Sequence, residues 1–587
     1  MSASRNNLIL LAFLGFLVLP VSQALAEAAE TVSENKETDV IIPEPVPLVG
    51  GVQGARRDIG GVQAQELKPV SRETVGTLDA AHGGLSVDMW QGTPREVVET
   101  WLPQLPAAPG ALTPYDLQRR LLLTSAEVPQ GLPGVGEKDT ASLLIRRIER
   151  LFAMGAGADA RGMLDLVPAN LRAESLIRYE IESWLLEGDD KKACGLADPH
   201  LSKGDDVFWA KAALFCALVE GDKAHAGLSL DLMRESKVPD PYFFYLAETA
   251  LGAKIKTAPK LEEPQALHLA MLRLSKKGLP EGLADRLTQP TLLKAVLGMG
   301  AASAENRLLA ARKAEAAGAL PAGEVRRLYE AIELSEKELA DALALAEKDK
   351  GQRGRVLYYR WAKQQTDANA RAEAIVKGLG VAGKGNALLA TMRLYAPLVE
   401  ELPPSPQLAW FAPTALRVLL TAGLPQMAKS WSEIAKPQGQ GQVQNQAGEV
   451  LLLPLLRLAG QSPALELVHL QSWREAQKEA PPERATLLFG LLEALGDPVP
   501  SQLWLAEAGA KAEAASVPPV LWHGLKQAAQ GKSSGQAALF SLLALGEAGP
   551  GGASPLVMQE VVRTLKAAGL EKDARSLALE AAIAAGI

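Results

Sequence analysis

The chain has 587 residues, 48% of them hydrophobic and 22% charged, with a formal net charge of -7 at pH 7. That length and apolar content suffice for several buried cores, while the mild acidity argues against a nucleic-acid partner, because binding phosphates needs clustered Lys and Arg. Aromatic residues make up only 5%, and Ala-, Leu- and Gln-rich segments with few β-branched runs favour helix over strand.

Residues 1–26 read as a secretory signal peptide. Arg5 supplies the positive start, Leu8 to Leu19 forms an apolar run of about 12 residues, and Ala24-Leu25-Ala26 is a small-x-small cleavage site, with cleavage expected after Ala26. The run is shorter than the roughly 20 residues that span a bilayer. An uncleaved anchor is the alternative, but Pro20 and the polar Ser22-Gln23 end the run early. No Cys stands near the cleavage point, which argues against a lipid anchor. The expected destination is the periplasm of a bacterial envelope, with no stable membrane insertion after cleavage; full secretion is the alternative.

Residues 27–84 read as a disordered acidic, Pro/Gly-rich linker. Between Glu27 and Pro45, Glu27, Glu30, Glu34, Glu37, Asp39 and Glu44 face the single basic Lys36; Pro43, Pro45 and Pro47 favour an extended chain. Gly50-Gly51-Val52-Gln53 is echoed by Gly60-Gly61-Val62-Gln63. The segment acts as a tether, or alternatively Asp39-Val40-Ile41-Ile42 adds as a strand to a partner's sheet edge.

An N-terminal helical block is expected over 85–255, beginning near Leu85. Thr93-Pro94-Arg95-Glu96 is a helix start, and Thr113-Pro114-Tyr115-Asp116 repeats the device before Leu117, Leu121 and Leu122. Thr140 similarly precedes Leu143, Leu144, Ile148 and Leu151, which share one helical face. Within this block Gly155/Ala160, Gly188/Ala193 and Gly221/Ala226 repeat at steps of 33 residues. A fixed period of that size marks stacked structural units. Each copy reads as helix, turn, helix: the Gly allows the positive φ that ends one helix, an Asp follows it in the second and third copies to start the next, and the Ala lets the two approach.

Gly188-Asp189-Asp190-Lys191-Lys192-Ala193 and Gly221-Asp222-Lys223-Ala224-His225-Ala226 match the Gly-Asp-x-x-x-Ala turn of the tetratricopeptide-repeat superfamily. Residues 140–240 resemble it, although the Trp, Leu, Gly and Tyr positions of that family's first helix are largely unfilled here. The resemblance implies stacked helical hairpins. The fold class expected for the whole chain is therefore all-α: a tetratricopeptide-like superhelix, or α-solenoid, behind a signal peptide and tether.

The two cysteines, Cys194 and Cys216, fall early in the second helix of one unit and in the first helix of the next. Such helices are neighbours in a stack, and an exported protein with an even count favours a disulfide. Two buried thiols are the alternative.

A middle helical block is expected over 256–401 and a C-terminal one over 402–587. Expected helices include Ala301–Ala317, Gly323–Lys350, Gly354–Gln365 and Ala368–Leu379, and the turn is echoed at Gly423/Ala428 and Gly569/Ala574. Breaks are marked by Leu402-Pro403-Pro404-Ser405-Pro406, Pro437 to Gln446 and Gly549-Pro550-Gly551-Gly552.

Signals for chemistry are sparse. The six histidines, His82, His200, His225, His268, His469 and His523, show no metal-ligand spacing. Gly380-Val381-Ala382-Gly383-Lys384-Gly385 lacks the spacing and the hydroxyl of a phosphate loop and reads as an interhelical turn. No Gly-x-Ser-x-Gly elbow occurs, so no catalytic residue, metal or cofactor is expected. The candidate partner-binding residues are aromatic: Tyr242, Phe243 and Tyr245 in the Tyr242-Phe243-Phe244-Tyr245 cluster, then Tyr358 and Trp361, with Trp410-Phe411 behind them. Core packing is the competing role for each. The expected function is a non-enzymatic protein- or peptide-binding scaffold or adaptor in the envelope. The alternative is a cell-wall glycan-acting enzyme or its accessory subunit, since helical superhelices resembling this one accompany periplasmic lytic transglycosylases. Paired carboxylates such as Glu262-Glu263 read as surface solvation, and no compact catalytic domain is recognisable after the helices.

Overall fold

A computed structural model describes residues 72–131, 142–168, 172–201, 206–349, 351–435, 443–507 and 517–587. The signal peptide, the tether up to 71 and the helix start at Thr140 lie outside the described residues. Among the described residues there are 29 α-helices and no strand, with one isolated bridge between Leu78 and Thr124. The protein is all-α.

Neighbouring helices pack in pairs. Three such pairs carry the 33-residue period: Ser142–Ala153 with Gly157–Asp165, Glu174–Glu187 with Asp190–Ala197, and Val207–Glu220 with Lys223–Glu235. Gly155, Gly188 and Gly221 hold φ of 76°, 89° and 82°, a region that L side chains avoid, so each first helix ends where its glycine stands. The Asp189 and Asp222 carboxylates then accept the N–H groups of Lys192 and His225, capping the second helices. Ala160, Ala193 and Ala226 are buried. The disulfide is formed: Cys194 and Cys216 join Asp190–Ala197 to Val207–Glu220 across two hairpins, with Cα atoms 5.5 Å apart.

Elsewhere the helix boundaries differ from expectation for identifiable reasons. Thr113 is inside the helix Leu112–Leu123 rather than capping it, and the cap of Arg95–Trp101 is Pro94, because the Thr93 hydroxyl is engaged by Ser533 and Gln536. The long helix expected over Gly323–Lys350 is three helices, Ala322–Ala331, Glu336–Ala340 and Ala342–Lys348. Ile332 turns extended, and Ser335 with Glu338 forms a capping box that starts the chain afresh. Packed structure also runs through 72–84, upstream of the expected start at Leu85. The buried guanidinium of Arg147 donates to the carbonyls of Val75, Leu122 and Thr124 at 2.7–2.8 Å, and Glu73 pairs with Arg95 at 2.6 Å.

Residues 69–587 form one compact unit. The helix Leu112–Leu123 packs against Ser534–Leu545 and Glu571–Ala584. Arg120 pairs with Asp573 at 2.7 Å, Trp101 meets Phe540 at 6.1 Å, and Gly535 donates its N–H to the Met89 carbonyl at 2.9 Å. Early and late parts of the chain thus share one core.

Candidate functional site

Where these parts meet, the helices frame a half-open cavity of about 990 Å³. Its wall is assembled from distant segments: the start of Leu112–Leu123, the repeat turn Gly155–Asp159, the helix Pro290–Leu297, the turn into Ala322–Ala331, the second half of Asn386–Glu400, and the face of Glu571–Ala584 that carries Glu580. Gly318 fixes part of this wall. Its φ is 81°, and a Cβ there would stand 2.5 Å from the Ala111 carbonyl oxygen and 2.7 Å from the Tyr115 Cβ, so a larger residue would force the two segments apart.

Several of the wall's charges are paired. Arg119 holds Asp159 through two bonds of 2.6 and 2.5 Å, and Arg161 holds Glu187 at 2.7 and 2.8 Å. Arg393 pairs with Glu580, whose Oε1 also accepts the Thr113 N–H at 3.3 Å. Two cations differ. Lys294 donates to the Gly155 carbonyl at 2.7 Å, and burial lowers its pKa. Arg326 donates through Nη1 to the carbonyls of Arg393 and Leu394 at 3.2 and 3.4 Å. That arrangement has a local cause: Pro397, inside Asn386–Glu400, has no N–H for the Arg393 carbonyl one turn back.

Glu315 is the most unusual group. It is 7% exposed, its buried Oε1 has no hydrogen-bond partner, and burial pushes its pKa up to about 8 although Arg393 and Arg326 oppose the shift. It is therefore a neutral acid at pH 7, able to donate. Burial likewise raises Glu580, whose Oε2 is unpartnered. The wall thus presents two cations whose hydrogen bonds go to carbonyls, one protonated acid and one spare carboxylate oxygen. Such a surface can hold a polar ligand in a fixed orientation.

The aromatic candidates lie apart from this cavity. Phe243 is fully buried, with the His268 ring on one side and the Lys211 ammonium 5.4 Å from its ring centre. Tyr242 and Tyr245 line a second cavity of about 430 Å³ with Leu261, Lys277 and Arg286. Tyr358 is buried in a small separate cluster with Ala342, Ala346 and Leu357; Trp361 packs on that cluster, with the Lys377 ammonium 5.7 Å from its ring centre. Trp410 is half-exposed and donates to Asn369 at 2.9 Å, while Phe411 is buried. His82 is exposed and contacts Asp79 within its own turn.

The sequence reading missed the cavity's charged groups and one further cluster. Glu315 sits in the Ala-rich helix Ala304–Ala316, where a carboxylate reads as surface. The further cluster is a buried network in which Asp240 accepts from Lys211 at 2.5 Å and contacts His268 Nε2 at 2.9 Å. His268 Nδ1 accepts the Gln265 N–H at 3.0 Å, so Nε2 carries the proton that Asp240 receives. Burial alone would raise Asp240, but the hydrogen bonds from His268, Lys211 and the Phe243 N–H hold it well below the usual carboxylate range. Pro239-Asp240-Pro241 was the only local signal. Among the described residues, no group of three His, Cys, Asp or Glu side chains could hold a metal ion, and no helix is long and apolar enough to cross a membrane. No protein family, curated protein or solved structure matches the chain.

Proposed function

We propose that the protein is an exported, periplasmic scaffold of tetratricopeptide-like hairpins stacked as a superhelix, and that it binds a peptide segment of an envelope partner in the central cavity. The observation that carries this reading is the cavity itself, built by repeat turns and the last helix together and lined by groups with hydrogen-bonding capacity to spare. The paired hairpins and the disulfide support the stacked architecture and an oxidising compartment. A photo-crosslinking side chain at Thr291, on the cavity wall, is expected to form saturable adducts with peptides from envelope extract. The same group at Leu228, 59% exposed and outside the wall, is expected to form none. Equal yields at both positions would count against cavity binding. Export predicts a mature chain beginning at Glu27 in the periplasmic fraction, read by mass spectrometry.

One observation favours the glycan-acting alternative: Glu315, a buried acid raised to about 8, has the protonation state a general acid needs. Release of soluble fragments from isolated sacculi, lost in Glu315→Gln, would carry that reading. Sacculi left intact by the wild-type protein would end it.

A further inference from the structure

We propose that the central cavity receives a carboxylate of its ligand over the start of the Ala322–Ala331 helix, between Arg326, Lys294 and Glu315. The ligand is accordingly a peptide recognised by an acidic end. This inference rests on the peptide-binding reading and specifies its chemistry.

Four observations converge on that place. First, Ala322–Ala331 begins behind Pro321, which gives it no side-chain cap, and Pro321, Ala322 and Gly323 form cavity wall. Leu112–Leu123 and Pro290–Leu297, whose starts also reach the cavity, likewise lack a side-chain cap, so it is the neighbouring cations that single out this helix start. An uncapped first turn offers N–H groups and a positive dipole end to an anion. Second, the Arg326 guanidinium stands directly beside the helix start: a Cβ on Gly323 would lie 3.6 Å from its Nη2, in ordinary contact. Third, among the described residues Arg326 and Lys294 hydrogen-bond to carbonyls and form no ion pair; Asp159, Glu187 and Glu324 act on Lys294, and Glu315 and Glu330 on Arg326, only from beyond ion-pair distance. A carboxylate is the complement that a guanidinium fork and an ammonium lack.

The fourth observation is Glu315, over nine-tenths buried and without a partner for its Oε1. Protonated at pH 7, it adds no negative charge and supplies an O–H donor. Arg393 and Glu580 cancel each other, which leaves the inner wall with the two positive charges of Arg326 and Lys294. Asp116 and Glu400 also border the cavity, but both are exposed, where water and salt screen them. A volume of about 990 Å³ accommodates a short peptide segment behind the bound carboxylate.

The test uses the full mature chain with its disulfide intact, immobilised and exposed to a library of N-acetylated tetrapeptides in free-acid and C-terminal amide forms. Retention is read by mass spectrometry. The acids are expected to be retained about tenfold better than the amides, as for one charge-assisted carboxylate contact. That preference is expected to vanish in Arg326→Gln. Because Arg326 also serves the carbonyl freed by Pro397, the second variant is Gly323→Val, which fills the space beside Nη2 and removes no side-chain hydrogen bond. Equal retention of acids and amides overturns the carboxylate site and leaves cavity binding standing. Retention of neither overturns the peptide reading, and this inference with it. A preference that survives Gly323→Val overturns the assigned position, and displacement of the acids by equimolar inorganic phosphate overturns the peptide carboxylate in favour of a phosphate ligand.

Discussion

In the hairpins between Ser142 and Glu235 the two helices of each pair pack on one another and on the adjoining pair, whereas the helix Glu571–Ala584 packs on helices that begin at Leu112, Asn386, Ala412, Val443, Pro482 and Pro555. The hairpins dry their apolar faces largely on one another, with Glu174–Glu187 also packing on Ala266–Leu274 and Pro290–Leu297. The last helix does so with partners drawn from most of the chain. Local packing leaves a repeat in the sequence, because each unit must meet the same neighbour in the same way. The hub helix keeps one echo of the turn at its start, Gly569 with Ala574, but its faces meet different surfaces and leave no periodic pattern. The central cavity lies where the two kinds of packing join.

The largest expected effect breaks the hub. Arg393→Met removes one member of a buried ion pair and leaves Glu580 buried without its partner, at a cost of about 3–5 kcal/mol. Urea unfolding should show a lower midpoint with helix content and tryptophan emission moving together. Loss confined to one probe would mean that the last helix is not shared by the whole unit.

Next comes the pH dependence of the same region. From about pH 4.5 to about pH 8 the folded protein keeps a proton on Glu315 that the unfolded chain has released, so stability falls as pH rises through that window. The fall is on the order of 5 kcal/mol. Glu315→Gln should flatten this part of the stability–pH profile, and an unchanged slope would contradict the raised acid.

Opening the disulfide acts on the hairpins instead. Cys194→Ala with Cys216→Ala frees a sequence separation of 22 residues and is expected to cost about 3 kcal/mol. Hydrogen exchange should rise over 190–220 and stay unchanged over 571–584. The smallest effect belongs to a single turn: Asp222→Ala removes the carboxylate that caps Lys223–Glu235 and should cost about 1 kcal/mol, with faster exchange confined to that helix's first turn.

The same contrast explains what could be read from the amino acids. The Gly and Ala of each repeat turn, and the Asp of the second and third, were legible because their roles are local: a positive φ, an N-cap and a close approach all lie within six residues. The disulfide followed from the same period. The helix end at Thr93 was misjudged because a distant partner, Ser533, takes the hydroxyl that would otherwise cap the local turn; at Thr113 the helix already starts one residue earlier, and the Thr113 N–H goes to Glu580. The break within Gly323–Lys350 had a local sign in Ser335 and Glu338, which a continuous helical pattern outweighed. The cavity was not legible at all. Arg326, Lys294, Glu315 and Glu580 are separated by up to hundreds of residues, and each alone reads as a charge on a solvated helix. Pro397 was visible, but its consequence for Arg326 depends on a helix crossing that no local pattern encodes. Aromatic density pointed elsewhere, to residues that the packing places in cores and in a second, smaller cavity.

Hydrogen exchange measured with and without the retained peptide acids addresses the join between the two kinds of packing most directly. Protection is expected to rise together in three segments far apart in the chain, 112–119, 318–326 and 576–580, because all three form one wall. Protection limited to the segment around Tyr242 and Tyr245, or to the outer face that carries Leu228, would contradict a central binding cavity.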